Sequence, residues 1–186
     1  MFRKLLTLLA LTSLATACHK ADEEPTIDFG PNNGFTMRTS TNLPTAQTDP
    51  TDWTYDASWN TTEQSLFSSL GLALGGSPAQ VGSWYSSVYP NPVQAGVGGN
   101  FTVLATTGGQ STPVPTTVRV QLVVVDARYK VLDTNDVPAG QAVTVALSFP
   151  TPKYAANNLY RVYYVVYEPT QKTVYYRGHG DVKVEN

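Results

Sequence analysis

The hydrophobic pattern changes character several times along the chain. Thirteen residues from Leu5 to Ala17 run without a charge. From Cys18 to Pro50 no apolar period is sustained, and Pro, Asn, Thr and Gly recur, which reads as a tether over 18–50. Between Thr61 and Leu70 the residues Leu66, Phe67 and Leu70 share one side of a helix. Asn60 can cap its first amides, Glu63 stands where a capping box needs an acid, and Gly71 is a natural stop. One short helix is therefore expected, resting on a sheet or a loop.

After Gly75-Gly76 the pattern becomes alternating. Phe101–Ala105 reads as a strand, and Val143–Phe149 as a strand with one wet face. Val118–Val125 is apolar on both faces at Val123-Val124-Val125, as in a strand covered on both sides. Leu159–Tyr167 is the strongest strand, with Tyr160, Val162, Tyr164 and Val166 on one face and Arg161, Tyr163, Val165 and Tyr167 on the other. Thr173–Arg177 pairs with it across a loop of hairpin length, and Val182–Val184 reads as a last edge strand. Short strands separated by Gly/Pro turns predict an all-β fold, a sandwich of two antiparallel sheets. A helix-containing segment, 51–87, precedes it.

Composition narrows the function classes. Of 186 residues 41% are hydrophobic, 14% charged and 11% aromatic, the reverse of a disordered chain. A formal net charge of −2 with no Lys/Arg run is not a nucleic-acid footprint. One cysteine makes no internal disulfide. Charge is unevenly placed: from Ala21 to Glu63 eight acids face one base, Arg38, whereas from Phe101 onward eight bases face six acids.

The N-terminus reads as an address. Arg3 and Lys4 precede the apolar run, which is too short to span about 30 Å of hydrocarbon, and small residues close it. Cys18 follows Ala15-Thr16-Ala17 directly, and here the chain resembles a bacterial lipoprotein signal, with residues 1–17 removed and Cys18 lipidated. Asp22, Glu23 and Glu24 resemble the acidic surface-export signal of Bacteroidota lipoproteins. The resemblance implies an outer-membrane protein, lipid-anchored and displayed at the cell surface.

Val88-Tyr89-Pro90-Asn91-Pro92 carries a second resemblance, to the opening of the type IX secretion sorting domain of Bacteroidota. Val123–Leu132 is similar to that family's strand–turn–strand. This resemblance implies an Ig-like sandwich over 88–186 and a role as an export tag. Independently of any family, Tyr89, Pro90, Asn91 and Pro92 form a rigid turn, because proline fixes φ and Asn tolerates turn geometry.

Chemistry is sparse. His179, between Gly178 and Gly180, reads as a tight turn into the last strand. A Ser/His/Asp triad using His179 and Asp181 would need a nucleophile elbow that the sequence lacks. Asp49, Asp52 and Asp56 lack the glycine and terminal Glu of a calcium loop and suit Asx turns instead. No catalytic residue, metal or cofactor is expected, and the protein is read as non-enzymatic. Trp53, Trp59 and Trp84 are candidate ligand-binding aromatics, which as an exposed co-facial platform would make a glycan-binding module. The expected role is display, adhesion or membership of an envelope complex. The membrane is engaged through Cys18, and an envelope protein or a glycan is the candidate partner.

Overall fold

The computed structural model describes residues 24–30, 34–79, 83–106 and 116–186. Cys18, Asp22 and Glu23 lie outside the described residues; Glu24 is exposed. The elements are β1 (Thr54–Tyr55), α1 (Thr61–Ser65), β2 (Ser83–Tyr89), β3 (Val93–Gln94), β4 (Gly99–Thr106), β5 (Arg119–Val125), β6 (Val131–Pro138), β7 (Ala142–Leu147), β8 (Leu159–Glu168) and β9 (Thr173–Glu185). A 3₁₀ turn, Ser68–Leu70, follows α1.

The chain is an all-β sandwich of two sheets. The larger runs β1-β9-β8-β5-β6 and the smaller β2-β4-β7. Their pairs are antiparallel, while β3 adds to the end of β9 in parallel, Val93 opposite Val184. Between the sheets lie Val88, Phe101, Val103, Leu122, Val124, Val162 and Tyr164. The other face of the larger sheet is also covered. Val123, Val125, Tyr163 and Val165 pack there against Ile27, Trp59, Phe67 and Leu74. That second layer explains the continuous apolar runs of β5 and β8, since a sheet buried on both faces loses its polar alternation.

The capping box forms as its spacing predicts. Asn60 Oδ1 accepts from the Glu63 amide at 3.0 Å and Glu63 Oε2 accepts from the Asn60 amide at 2.8 Å. The α-helix nevertheless ends at Ser65, and Leu66, Phe67 and Leu70 lie in the tighter turn that Gly71 closes at φ 62°. Described residues of the expected tether, among them Ile27 and Arg38, fold back onto the sandwich. Ile27 is buried and its amide donates to Ala127 O at 2.8 Å. The Arg38 amide donates to Asn91 O at 2.8 Å, and Asn91 donates in return at 2.9 Å.

A boundary at residue 88 therefore falls inside β2, which pairs with β4 from Ser83 to Tyr89. β1 pairs with β9, and Trp53 sits in the core. The 51–87 segment supplies part of the sandwich rather than preceding it.

The Tyr89–Pro92 turn is more than an entrance to a strand. Both of its prolines follow cis peptide bonds. Asn91 is fully buried; its Nδ2 donates to Thr36 O at 3.0 Å and Asp181 O at 2.9 Å, while Oδ1 accepts from the Lys183 amide at 3.0 Å. One side chain thus ties the 36–38 segment to β9. Asn91→Ala leaves those groups buried without partners, and a loss of about 2–3 kcal/mol is expected. Chemical denaturation checks it; a loss below about 0.5 kcal/mol would show that the clamp is dispensable.

Gly178-His179-Gly180 is not a turn. It lies in the middle of β9, where Thr54 and Tyr55 pair with His179 and Gly178. A Cβ on Gly180 would stand 2.1 Å from the Trp53 ring, and one on Gly178 2.2 Å from Thr54 O. The glycines admit a close approach of chain, not flexibility.

Candidate functional site

The three tryptophans do not form a platform. Trp53, Trp59 and Trp84 are 7%, 5% and 7% exposed. Trp53 packs by Phe101 and Tyr164 at ring separations of 6.1 and 6.5 Å, and Trp59 stacks on Phe67 at 5.2 Å beneath the helical segment. Trp53 and Trp84 belong to the core between the two sheets, and Trp59 to the layer that covers the other face of the larger sheet. The glycan-binding reading built on them is withdrawn.

The triad pairing also fails. His179 Nδ1 lies 2.7 Å from Asp56 Oδ2, which also accepts from Trp59 Nε1 at 2.8 Å. Asp181 is held instead by Arg161, through Nε at 2.8 Å and Nη2 at 2.7 Å. No hydroxyl bonds the histidine ring among the described residues. Asp49, Asp52 and Asp56 diverge. Asp49 makes an Asx turn with the Thr51 amide at 2.8 Å, and Asp52 accepts from the amides of Thr36 at 2.7 Å and Asp181 at 2.5 Å. Among the described residues no three His, Cys, Asp or Glu side chains gather around one point. These polar groups clamp residues 34–60 to β8 and β9.

Burial, reinforced by the Asp181 carboxylate, pushes Asp52 from an ordinary 3.8 up to about 7. Burial also raises Asp181, against the pull of Arg161. A carboxyl whose folded pKa is raised favours the folded state while protonated, and that gain is lost as pH rises through the folded value. For Asp52 the change between pH 6 and pH 8 is about 1 kcal/mol, so Tm is expected to be about 2–4 °C higher at pH 6. A thermal melt followed by circular dichroism tests this, and an equal or lower Tm at pH 6 would contradict it.

An open site lies at the end of the sandwich where β5 turns into β6. It is a groove of about 550 Å³, within the range of small-ligand sites. Four cations line it, Arg128, Lys130, Lys153 and Lys183, with one carboxylate, Asp126. Phe29, Asn157 and Asn158 add an aromatic edge and two amides.

Each wall has a local cause. Asp126 folds the turn by accepting at Oδ1 from the amides of Arg128 at 2.9 Å and Lys130 at 3.1 Å, with Tyr129 at φ 59°. Its Oδ1 is thus engaged by the backbone of the turn. The opposite wall is fixed by Tyr154, whose ring meets Phe149 and Tyr160 edge-on at 4.9 Å each and whose hydroxyl donates to Asp133 Oδ2 at 2.5 Å. Asp133 also pairs with Lys153 at 2.6 Å. Lys183 Nζ donates to Asn157 O at 2.5 Å, a neutral acceptor. The Arg128 and Lys130 side chains are exposed and have no acidic partner among the described residues. The arrangement suits a ligand with a phosphate or carboxylate, bound through charge-assisted hydrogen bonds.

Sequence reading missed this groove. Its cations stand at 128, 130, 153 and 183, and only the sheet order brings them together. The excess of bases after Phe101 was the available signal, and it carried no position.

No protein-family model matches the chain, and no curated protein matches it. Among solved structures it is similar to superoxide reductase (neelaredoxin) from Ignicoccus hospitalis, at 15% identity and a TM-score of 0.37, over 55% of this chain and 80% of that one. A likeness of that degree assigns no activity to this chain.

Proposed function

We propose that this is a non-catalytic, lipid-anchored protein of the bacterial outer membrane, held through Cys18 and displayed for adhesion or as part of an envelope complex. The supporting sequence features are the charged start, the short apolar run and the single cysteine that follows it. The observation that carries the reading is the single cysteine placed directly after that run, and the fold adds where an anchor on it would act. Ile27 is bonded to Ala127 nine residues after Cys18. Nine residues reach at most about 32 Å when fully extended. An acyl anchor on Cys18 would hold this end of the sandwich, with its groove, close to the membrane. The buried charges already described are occupied in clamping the fold, which suits a rigid displayed body.

Cys18→Ser tests the anchor. The variant is expected to leave the membrane fraction and to take up no labelled fatty acid. A wild-type chain that incorporates no label, or a variant that partitions like it, would overturn the reading. An export tag over 88–186 is less favoured, because that segment lacks β1, most of β2 and Trp53.

A further inference from the structure

We propose that the groove between the β5–β6 turn and the loop before β8 seats the phosphate of an anionic lipid headgroup, docking the sandwich on the membrane surface. The location rests on the lipid-anchor reading; the chemistry does not. The chain as a whole is acidic, at −2, yet this concavity collects four cations. Its own carboxylate, Asp126, is bound to two backbone amides, and neighbouring Asp133 neutralises only Lys153. Arg128 and Lys130 are left with free charge, and Lys183 meets only a carbonyl. The Asn157 and Asn158 side chains are exposed beside them and can donate to phosphate or glycerol oxygens.

Geometry supplies the partner. Phe29, on the strand of chain that leads from Ile27, forms one rim, so the groove opens next to the point where the anchored segment arrives. An acyl anchor combined with a cationic patch binds a surface more firmly than either alone. Each Lys or Arg near an anionic surface contributes about 1 kcal/mol, close to fivefold in affinity. Headgroup contact would also fix the orientation of the sandwich, which an acyl chain attached at a single residue does not.

The test uses the chain from residue 18 onward carrying Cys18→Ser, so that neither the apolar leader nor an acyl chain contributes. Co-sedimentation is measured with phosphatidylcholine vesicles and with vesicles of 30% phosphatidylglycerol in phosphatidylcholine, the percentage being a choice of roughly physiological anionic content. Stronger binding to the anionic vesicles is expected, and Arg128→Gln with Lys130→Gln should weaken it about 25-fold. Lys172→Gln removes one charge from the β8–β9 hairpin at the opposite end and should change nothing. The proposal is overturned if the double variant binds like its parent, or if Lys172→Gln matches its loss. A groove that takes up inorganic phosphate, followed by NMR shifts at Arg128 and Lys130, without preferring anionic vesicles would make it a site for free phosphate and overturn the membrane assignment. Uptake of labelled fatty acid at Cys18 reports on the anchor alone, and vesicle binding by the unacylated chain reports on the groove alone, so the two readings fail separately.

Discussion

Arg177→Met is expected to destabilise the protein by about 3–5 kcal/mol. Arg177 is fully buried in β9. Its Nε donates to Asp56 O at 3.0 Å, Nη2 to Ala57 O at 2.6 Å and Nη1 to Leu74 O, and its guanidinium lies over Trp59 at 5.3 Å. One side chain thus satisfies three backbone carbonyls on either side of the helical segment. Methionine keeps much of the stem volume, so the loss reports the carbonyls and not a cavity. The contact to Leu74 O is buried and those to Asp56 O and Ala57 O are part-buried, so the cost of an unpaired buried carbonyl, about 1–3 kcal/mol, applies in full to the first and in part to the others. With a urea dependence of about 2 kcal/mol/M, the unfolding midpoint should fall by about 1.5–2.5 M. A shift under about 0.5 M would mean that the 56–74 segment is not held through this residue.

Arg161→Met is expected to cost about as much, for a different reason. Arg161 and Asp181 form a two-point ion pair on adjacent strands, both about nine-tenths buried or more. Arg161 also donates to Asp28 O at 3.2 Å and lies over Phe29 at 5.3 Å, so it holds the first described segment too. Removing it strands the Asp181 carboxylate beside Asp52, whose two oxygens are already committed. Breaking a buried pair from one side typically costs about 3–5 kcal/mol. The sign of the pH effect follows. Without Arg161 the variant gains more from protonating Asp181, so its deficit should shrink from pH 8 to pH 5. Adding Asp181→Leu should recover part of the loss, because an apolar pair of similar volume avoids the stranded charge. Urea midpoints at the two pH values decide it; a deficit that grows on acidification would contradict the account.

These two arginines mark where sequence reading stopped. The pattern of Val123-Val124-Val125 implied a strand covered on both sides, whereas the second face of β8 could have been a Tyr-rich outer surface; the layer of Ile27, Trp59, Phe67 and Leu74 covers both. The β8–β9 hairpin also stands where the loop length places it, with Glu168 opposite Thr173. β2 was not legible, because Ser86 and Ser87 occupy buried positions; Ser86 Oγ lies 2.6 Å from the Tyr164 hydroxyl, a partner 78 residues away. β6 was hidden by Asp133, Asn135 and Asp136, residues that an edge strand tolerates and a propensity rule penalises. Arg177 read as the end of a strand and Asn91 as a turn residue. Their burial depends on carbonyls from distant segments, which periodicity does not encode. The groove has the same character, being assembled from four separated stretches, at 29, 126–132, 153–160 and 183.

The central claim is that a lipid on Cys18 ties this sandwich to the envelope, and the intact mass of the protein purified from its native host tests it most directly. The account predicts the mass of Cys18–Asn186 plus acyl chains, with β1, β2 and the 34–60 clamps retained in the same polypeptide. A lipid-free mass, or a product ending near Tyr89–Pro92, would contradict it.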